Sequence, residues 1–187
     1  TYMKGGFKPL AVIIIPMMAL IGQMGLYYAY RPLQPNEQTM LTVTATPEGW
    51  DEVAQASLEP TGGITIETPA LRIPQTREVC WRLRAISSGE GVLAIKTRSQ
   101  AHEKKIAAGP HAAKNPVSPA RVHAGFFETL FESDEPRLAD GGIQSVRIEY
   151  PAATIPIAGL QLHWLVPFLA AALATGLILK QYWGVEV

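Results

Sequence analysis

One cysteine, Cys80, is all that 187 residues provide, which excludes an internal disulfide and any thiolate metal cluster. In "REVCWRLRA" it stands in an alternating pattern, which reads as a buried structural thiol rather than a reactive one. Charge of one sign is also lacking: sixteen basic residues cancel sixteen acidic ones, so no global field argues for nucleic acid as a partner. No G-x-S-x-G elbow, P-loop or dinucleotide fingerprint occurs, and the glycines of "TGG" at 61–63 and "DGG" at 140–142 read as turns. Of the four histidines, none has H-x-x-x-H spacing. His102, His111 and His123 read as surface residues, and a metal centre would need the fold to bring the three together. Glu128, Glu132, Asp134 and Glu135 read as a solvated acidic loop rather than an acid/base pair. The lysines of "HEKK" read as guards on a strand edge. The expectation is a non-enzyme with no cofactor, no metal and no evident small-molecule substrate.

Long apolar runs are present at both ends. From Trp164 to Leu179 no charged residue occurs, and Lys180 ends the run. Trp164 and the pair Tyr182 and Trp183 stand about 18 residues apart, or roughly 27 Å of helix, close to a bilayer's hydrocarbon thickness. Aromatic rings at both ends suit the two interfaces, and His163 beside Trp164 reads as part of the same belt. The start, "KPLAVIIIPMMALIGQMGLYYAYRP", repeats the pattern, with Tyr27, Tyr28 and Tyr30 as its aromatic end. Its rival reading is a signal peptide with Lys4 and Lys8 as the n-region, against which stand its length and the want of an A-x-A site. Two spans are therefore expected, at about residues 9–30 and 162–182, within segments 1–33 and 157–187. Small residues four apart, Gly25 with Ala29 and Ala172 with Gly176, read as steps for close helix packing, between these two helices or against a further one. Lys4, Lys8 and Lys180 against Arg31 and Arg147 favour both termini in the cytoplasm. The expected location is the bacterial inner (cytoplasmic) membrane, multi-pass, with the central domain extracytoplasmic. The expected partners are the lipid bilayer and another membrane or periplasmic protein. Thr1 in place of Met adds the expectation of a piece of a longer protein.

Residues 34–156 read as a β domain. "TMLTVTAT" alternates and is rich in β-branched residues. "GITIETPALRIP" gives two short strands broken by Pro69 and Pro74. "EVCWRLRAI" puts Val79, Trp81 and Leu83 on one phase, "SSGEG" turns, and "VLAIKTR", "KKIAAG" and "IQSVRIEYP" continue the sheet. Closely spaced strands with little helix predict an antiparallel sandwich. An insertion over about 109–142 departs from this pattern. In it Phe126, Phe127, Leu130 and Phe131 recur at helical spacing, with Glu128 and Glu132 between them. That short amphipathic helix either caps the open end of the sandwich or docks a partner, and the acidic "ESDEP" beside it favours protein over lipid as that partner.

At "REVCWRLRAISSGEGVLAIKTRSQAHEKKIAAG" the sequence resembles the strand–turn–strand core of immunoglobulin-like or fibronectin-like domains. The order "YRPLQPNE", "EVCWRLRA", "RIEYP" and "HWLVPF…LKQYWGVEV" resembles a group of uncharacterised bacterial integral-membrane proteins. This second resemblance implies a membrane part carrying a β domain and no assigned activity. "MKGGFKPLAVIIIP" also looks like the entry to a span of YidC-like insertases, whose groove residue only Gln23 could supply here. The sequence therefore predicts two transmembrane helices flanking an immunoglobulin-like β-sandwich. Its expected role is a non-enzymatic, membrane-anchored interaction or assembly module. The alternative is the C-terminal part of an insertase-like or transport-related membrane protein.

Overall fold

Side-chain alternation sets the strands. Gln38–Ala45 (β1) turns Thr39, Leu41, Val43 and Ala45 inward and leaves Met40, Thr42 and Thr44 half-buried on its other face. β-branched residues fit such a pleated, half-buried surface. Ser57–Pro60 (β2), Ile64–Ile66 (β3) and Leu71–Ile73 (β4) are short. Glu78–Ala85 (β5) buries Val79, Trp81, Leu83 and Ala85 on one phase. Gly89–Lys96 (β6) and Ala101–Ala108 (β7) form a hairpin, followed by Ala120–Val122 (β8) and Ile143–Ile148 (β9). The structure, a computed structural model, describes residues 14, 16–25, 27–110, 117–122, 135–139, 141–157 and 159–183, with backbone alone at 177 and 179–183.

All strand pairs are antiparallel. Six strands form one sheet in the order β3-β5-β1-β9-β8, with β4 also on β5, and β2-β6-β7 form a second sheet. Pro69 explains the split edge. β3 lies opposite Leu83–Ala85 and β4 opposite Glu78–Cys80, with Pro69 in the gap where an edge strand tolerates a missing donor. Leu41, Val43, Trp81, Leu83, Val146 and Ile148 of the larger sheet join Leu93, Ile95 and Ile106 of the smaller in one buried cluster. The sheets thus share a core. Near its rim Gly62 and Gly63 turn at φ 71 and 77, a left-handed conformation that glycine adopts without cost.

The chain divides into two compact units, Thr1–Pro151 and Ala152–Val187. The second holds a hairpin of Thr154–Ile157 (β10) and Leu160–His163 (β11), then the helix Leu165–Trp183.

Three expectations are corrected. First, among the described residues no helix is long and apolar enough to cross a membrane. Residues 162 and 163 of the expected C-terminal span belong to strand β11, and the helix begins only at Leu165. Its uncharged part ends at Leu179, before Lys180, so it measures about 22 Å against a hydrocarbon core of about 30 Å. At the other end, described helical backbone covers residues 14, 16–25 and 27–28. Second, the multi-pass inner-membrane location and the extracytoplasmic, periplasmic placement of the β domain rested on those spans, and they fall with them. Third, the strand order is not the immunoglobulin one. There the first strand lies at a sheet edge, whereas here β1 is an inner strand between β5 and β9.

Candidate functional site: an ionic seam and apolar helix faces

Strand β7 has the sequence "AHEKKIAA", and alternation alone decides which of its residues enter the interior. His102, Lys104, Ile106 and Ala108 point inward, opposite Ile95, Leu93, Gly91 and Gly89 of β6. Lys104 is thereby wholly buried, at 0 % exposure. Its ammonium donates to Glu135 Oε1 at 2.7 Å, to the Ser118 carbonyl at 2.7 Å and to its neighbour's Lys105 carbonyl at 3.4 Å. An ammonium has three donors, and all three are met. Glu135 is itself buried, and the same Oε1 accepts the Lys105 amide at 3.2 Å. Burial pushes the Lys104 pKa down, while Glu135 opposes the shift.

The pair belongs to a longer seam along the outer edge of β7. The Arg121 guanidinium donates to the Glu103 carbonyl, to Pro136 O at 2.7 Å and to Arg137 O at 3.3 Å. The Ala107 amide donates to the Tyr150 hydroxyl at 2.9 Å, and burial raises that phenol's pKa well above its usual value. Leu33 completes the edge, its amide donating to Ala107 O at 3.1 Å and its carbonyl accepting Gly109 N at 2.6 Å. An unpaired strand edge invites other strands. Here an arginine, a carboxylate, a tyrosine hydroxyl and a backbone segment occupy it instead. His102 lies on the same strand, buried, its pKa lowered first by desolvation and then by Arg121, with Glu52 opposing.

A buried lysine of lowered pKa suits nucleophilic chemistry. Lys104 does not fit that role, because its amine is enclosed and each N–H is directed at a fixed acceptor. The geometry makes it a clamp, holding Val117–Ala120 and the stretch from Glu135 onto β7.

This clamp is not among the sites expected from the sequence. "HEKK" reads as an exposed edge and Glu135 as loop, although the shared phase of Lys104 with His102 and Ile106 signals an inward side chain. Phe126, Phe127, Leu130 and Phe131 lie outside the described residues, as do His111, His123, Glu128, Glu132 and Asp134. Among the described residues no group of three or more His, Cys, Asp or Glu stands where it could hold a metal. Cys80 is buried, with its sulfur 3.7 Å from Thr42 Oγ1.

Residues expected at a membrane interface separate into two kinds. Tyr27, Tyr28 and Tyr30 are exposed. Trp164 is buried, with ring centroids 5.8 Å from His163 and 6.2 Å from Phe168. Tyr182 and Trp183 end the helix Leu165–Trp183. Along that helix Val166, Leu169, Leu173 and Ile178 are exposed, Leu173 to 70 %. The first helical stretch exposes Ile14, Met17, Met18 and Leu20. Gly25 bonds to Ala29 through a helical turn at 2.8 Å. Ala172 is exposed, and at both Gly25 and Gly176 a Cβ would meet nothing within 4 Å.

No family model, curated protein or solved structure matches the chain.

Proposed function

We propose that the chain is a non-enzymatic interaction and assembly module. Its apolar helix faces are what a protein partner covers. One observation carries this reading: Val166, Leu169 and Leu173, three and four residues apart, fall on one face of one helix, each exposed. Contiguous exposed apolar surface of this kind marks an interaction site. Covering each such side chain is worth about 1.5–3 kcal/mol. The bare backbone at Gly176 and the small Ala172 leave room for a partner helix to approach closely, so the occupant is an apolar helix of another protein subunit.

Replacing Leu169 and Leu173 together by Gln tests it. The wild-type chain isolated from its native cells should run in light scattering above the 20.3 kDa of the chain alone. The double variant should run at the chain mass with its β core melting unchanged. A wild-type chain that runs alone, or a variant that keeps the wild-type assembly, contradicts the proposal.

A further inference from the structure

Pro156 fixes the phase of the hairpin β10–β11. It stands opposite Gln161, and Thr154 stands opposite His163. Proline has no N–H, so Pro156 and Gln161 form a wide pair, in which both residues turn their backbone groups away from each other. The phase repeats every two residues, and His163 therefore does the same. Proline thereby stops the outer edge of β10, a usual guard against stray pairing. The outer edge of β11 presents the N–H and C=O groups of Gln161 and His163, and "LQLH" holds no lysine or proline to guard it. Among the described residues no further strand lies against it. Alternation also divides the faces. Ile155, Ile157, Leu160 and Leu162 share one, with Leu160 62 % exposed. Thr154, Pro156, Gln161 and His163 share the other, where the Thr154 hydroxyl donates to Gln161 Oε1 at 2.8 Å.

We infer that the subunit covering the helix faces is a second copy of this chain, seated edge to edge on β11. This rests on reading those faces as an interface and names what occupies it. The open edge is its own complement. An antiparallel copy centred on Leu162 sets Gln161 opposite His163 of the second copy, and His163 opposite its Gln161. The two residues of each pair exchange both main-chain bonds, so the outward groups are met on both strands. Moving the centre by one residue would spend them on the turn at Gly159 or the helix at Leu165. Directly opposite residues share a face, so Leu162 meets its counterpart and the two apolar faces join. A ribbon of four strands replaces a two-stranded hairpin, which is marginal alone. Symmetry then closes the assembly. A twofold contact uses the same patch on both copies, and Pro156 leaves no second open edge for a third. The helix Leu165–Trp183 follows β11 after Trp164 alone, so the second copy brings an identical apolar helix into the assembly. Main-chain bonds set the register, and apolar side chains hold the pair.

Light scattering of the full chain, expressed alone in a foreign host, tests the inference. It should run at twice the 20.3 kDa of one chain. Gln161→Pro removes an outward donor that the hairpin itself does not use, and it should return the chain to the single mass. Leu162→Cys should give a disulfide-linked pair under mild oxidation, because wide pairs bring Cα atoms to about 4.5 Å. Leu71→Cys, on edge strand β4 and 61 % exposed, should not. A chain that runs singly when made alone, while that from native cells runs heavier, overturns the inference and leaves the helix-face reading standing. A wild-type assembly beyond two copies, a Gln161→Pro chain still paired, or equal crosslinking at positions 162 and 71 overturns it as well.

Discussion

At the scale of single residues, the strongest constraint is the charge pair Lys104 and Glu135, buried beside a largely apolar core. Two charges out of water are tolerable only together. Removing one leaves the other buried and uncompensated, at a cost of about 3–5 kcal/mol. Glu135→Ala should therefore lower urea-unfolding stability by that amount. Lys104→Met combined with Glu135→Leu should be the milder change, although the Lys105 amide and the Ser118 carbonyl still lose their partners at about 1–3 kcal/mol each. Strict additivity of the two single losses in the double variant would show that the charges do not sense each other. His102 supplies a pH test. Its folded-state pKa lies below the usual 6.5 because burial and Arg121 disfavour its protonation. The unfolded state therefore binds the proton more readily. Stability is full above pH 6.5 and falls as the pH drops through 6.5 towards the lowered folded value. His102→Gln should flatten that acid limb in urea midpoints measured from pH 7 to 5, and an unchanged limb would assign it to other groups.

Among the elements, β7 is the strand whose edge decides how the sandwich closes. Its outer amides at Lys105 and Ala107 donate to side chains and not to a strand. Hydrogen exchange should find both protected. Tyr150→Phe should speed exchange at Ala107 while leaving Lys105 slow, and Glu135→Ala should do the reverse. Loop-like exchange at both amides in the wild-type chain would contradict the seam. Much at this scale was legible in the sequence. Period-two alternation marked β1 and β5 and the inward phase of Trp81, and Pro69 marked the break between β3 and β4. β2 was not legible, because "SLEP" is too short for a pattern and ends in proline. Nor was the clamp, since a lysine within alternation reads as surface until its partner is known. That partner stands 31 residues away in an acidic stretch, and pairing at that range leaves no local trace.

For the molecule as a whole, the question is what covers the apolar helices. Composition made both ends apolar, and apolarity alone could not say how much of each run would be helix. The hairpin β10–β11 takes residues 162 and 163, and Lys180 limits the other end, so the apolar helix falls short of a bilayer's width. The placement of β1 between β5 and β9 was equally beyond the sequence, because it depends on pairing across some forty to a hundred residues. The chain combines an antiparallel core, sealed along β7, with exposed apolar helix faces. The most direct measurement is photo-crosslinking in native cells, with a photoreactive residue at position 166, 169 or 173, and at Lys96 on the outer face of the smaller sheet as control. The account predicts one discrete protein adduct from the three helix positions and none from Lys96. Adducts to lipid alone, or the same smear of adducts from all four positions, would contradict it.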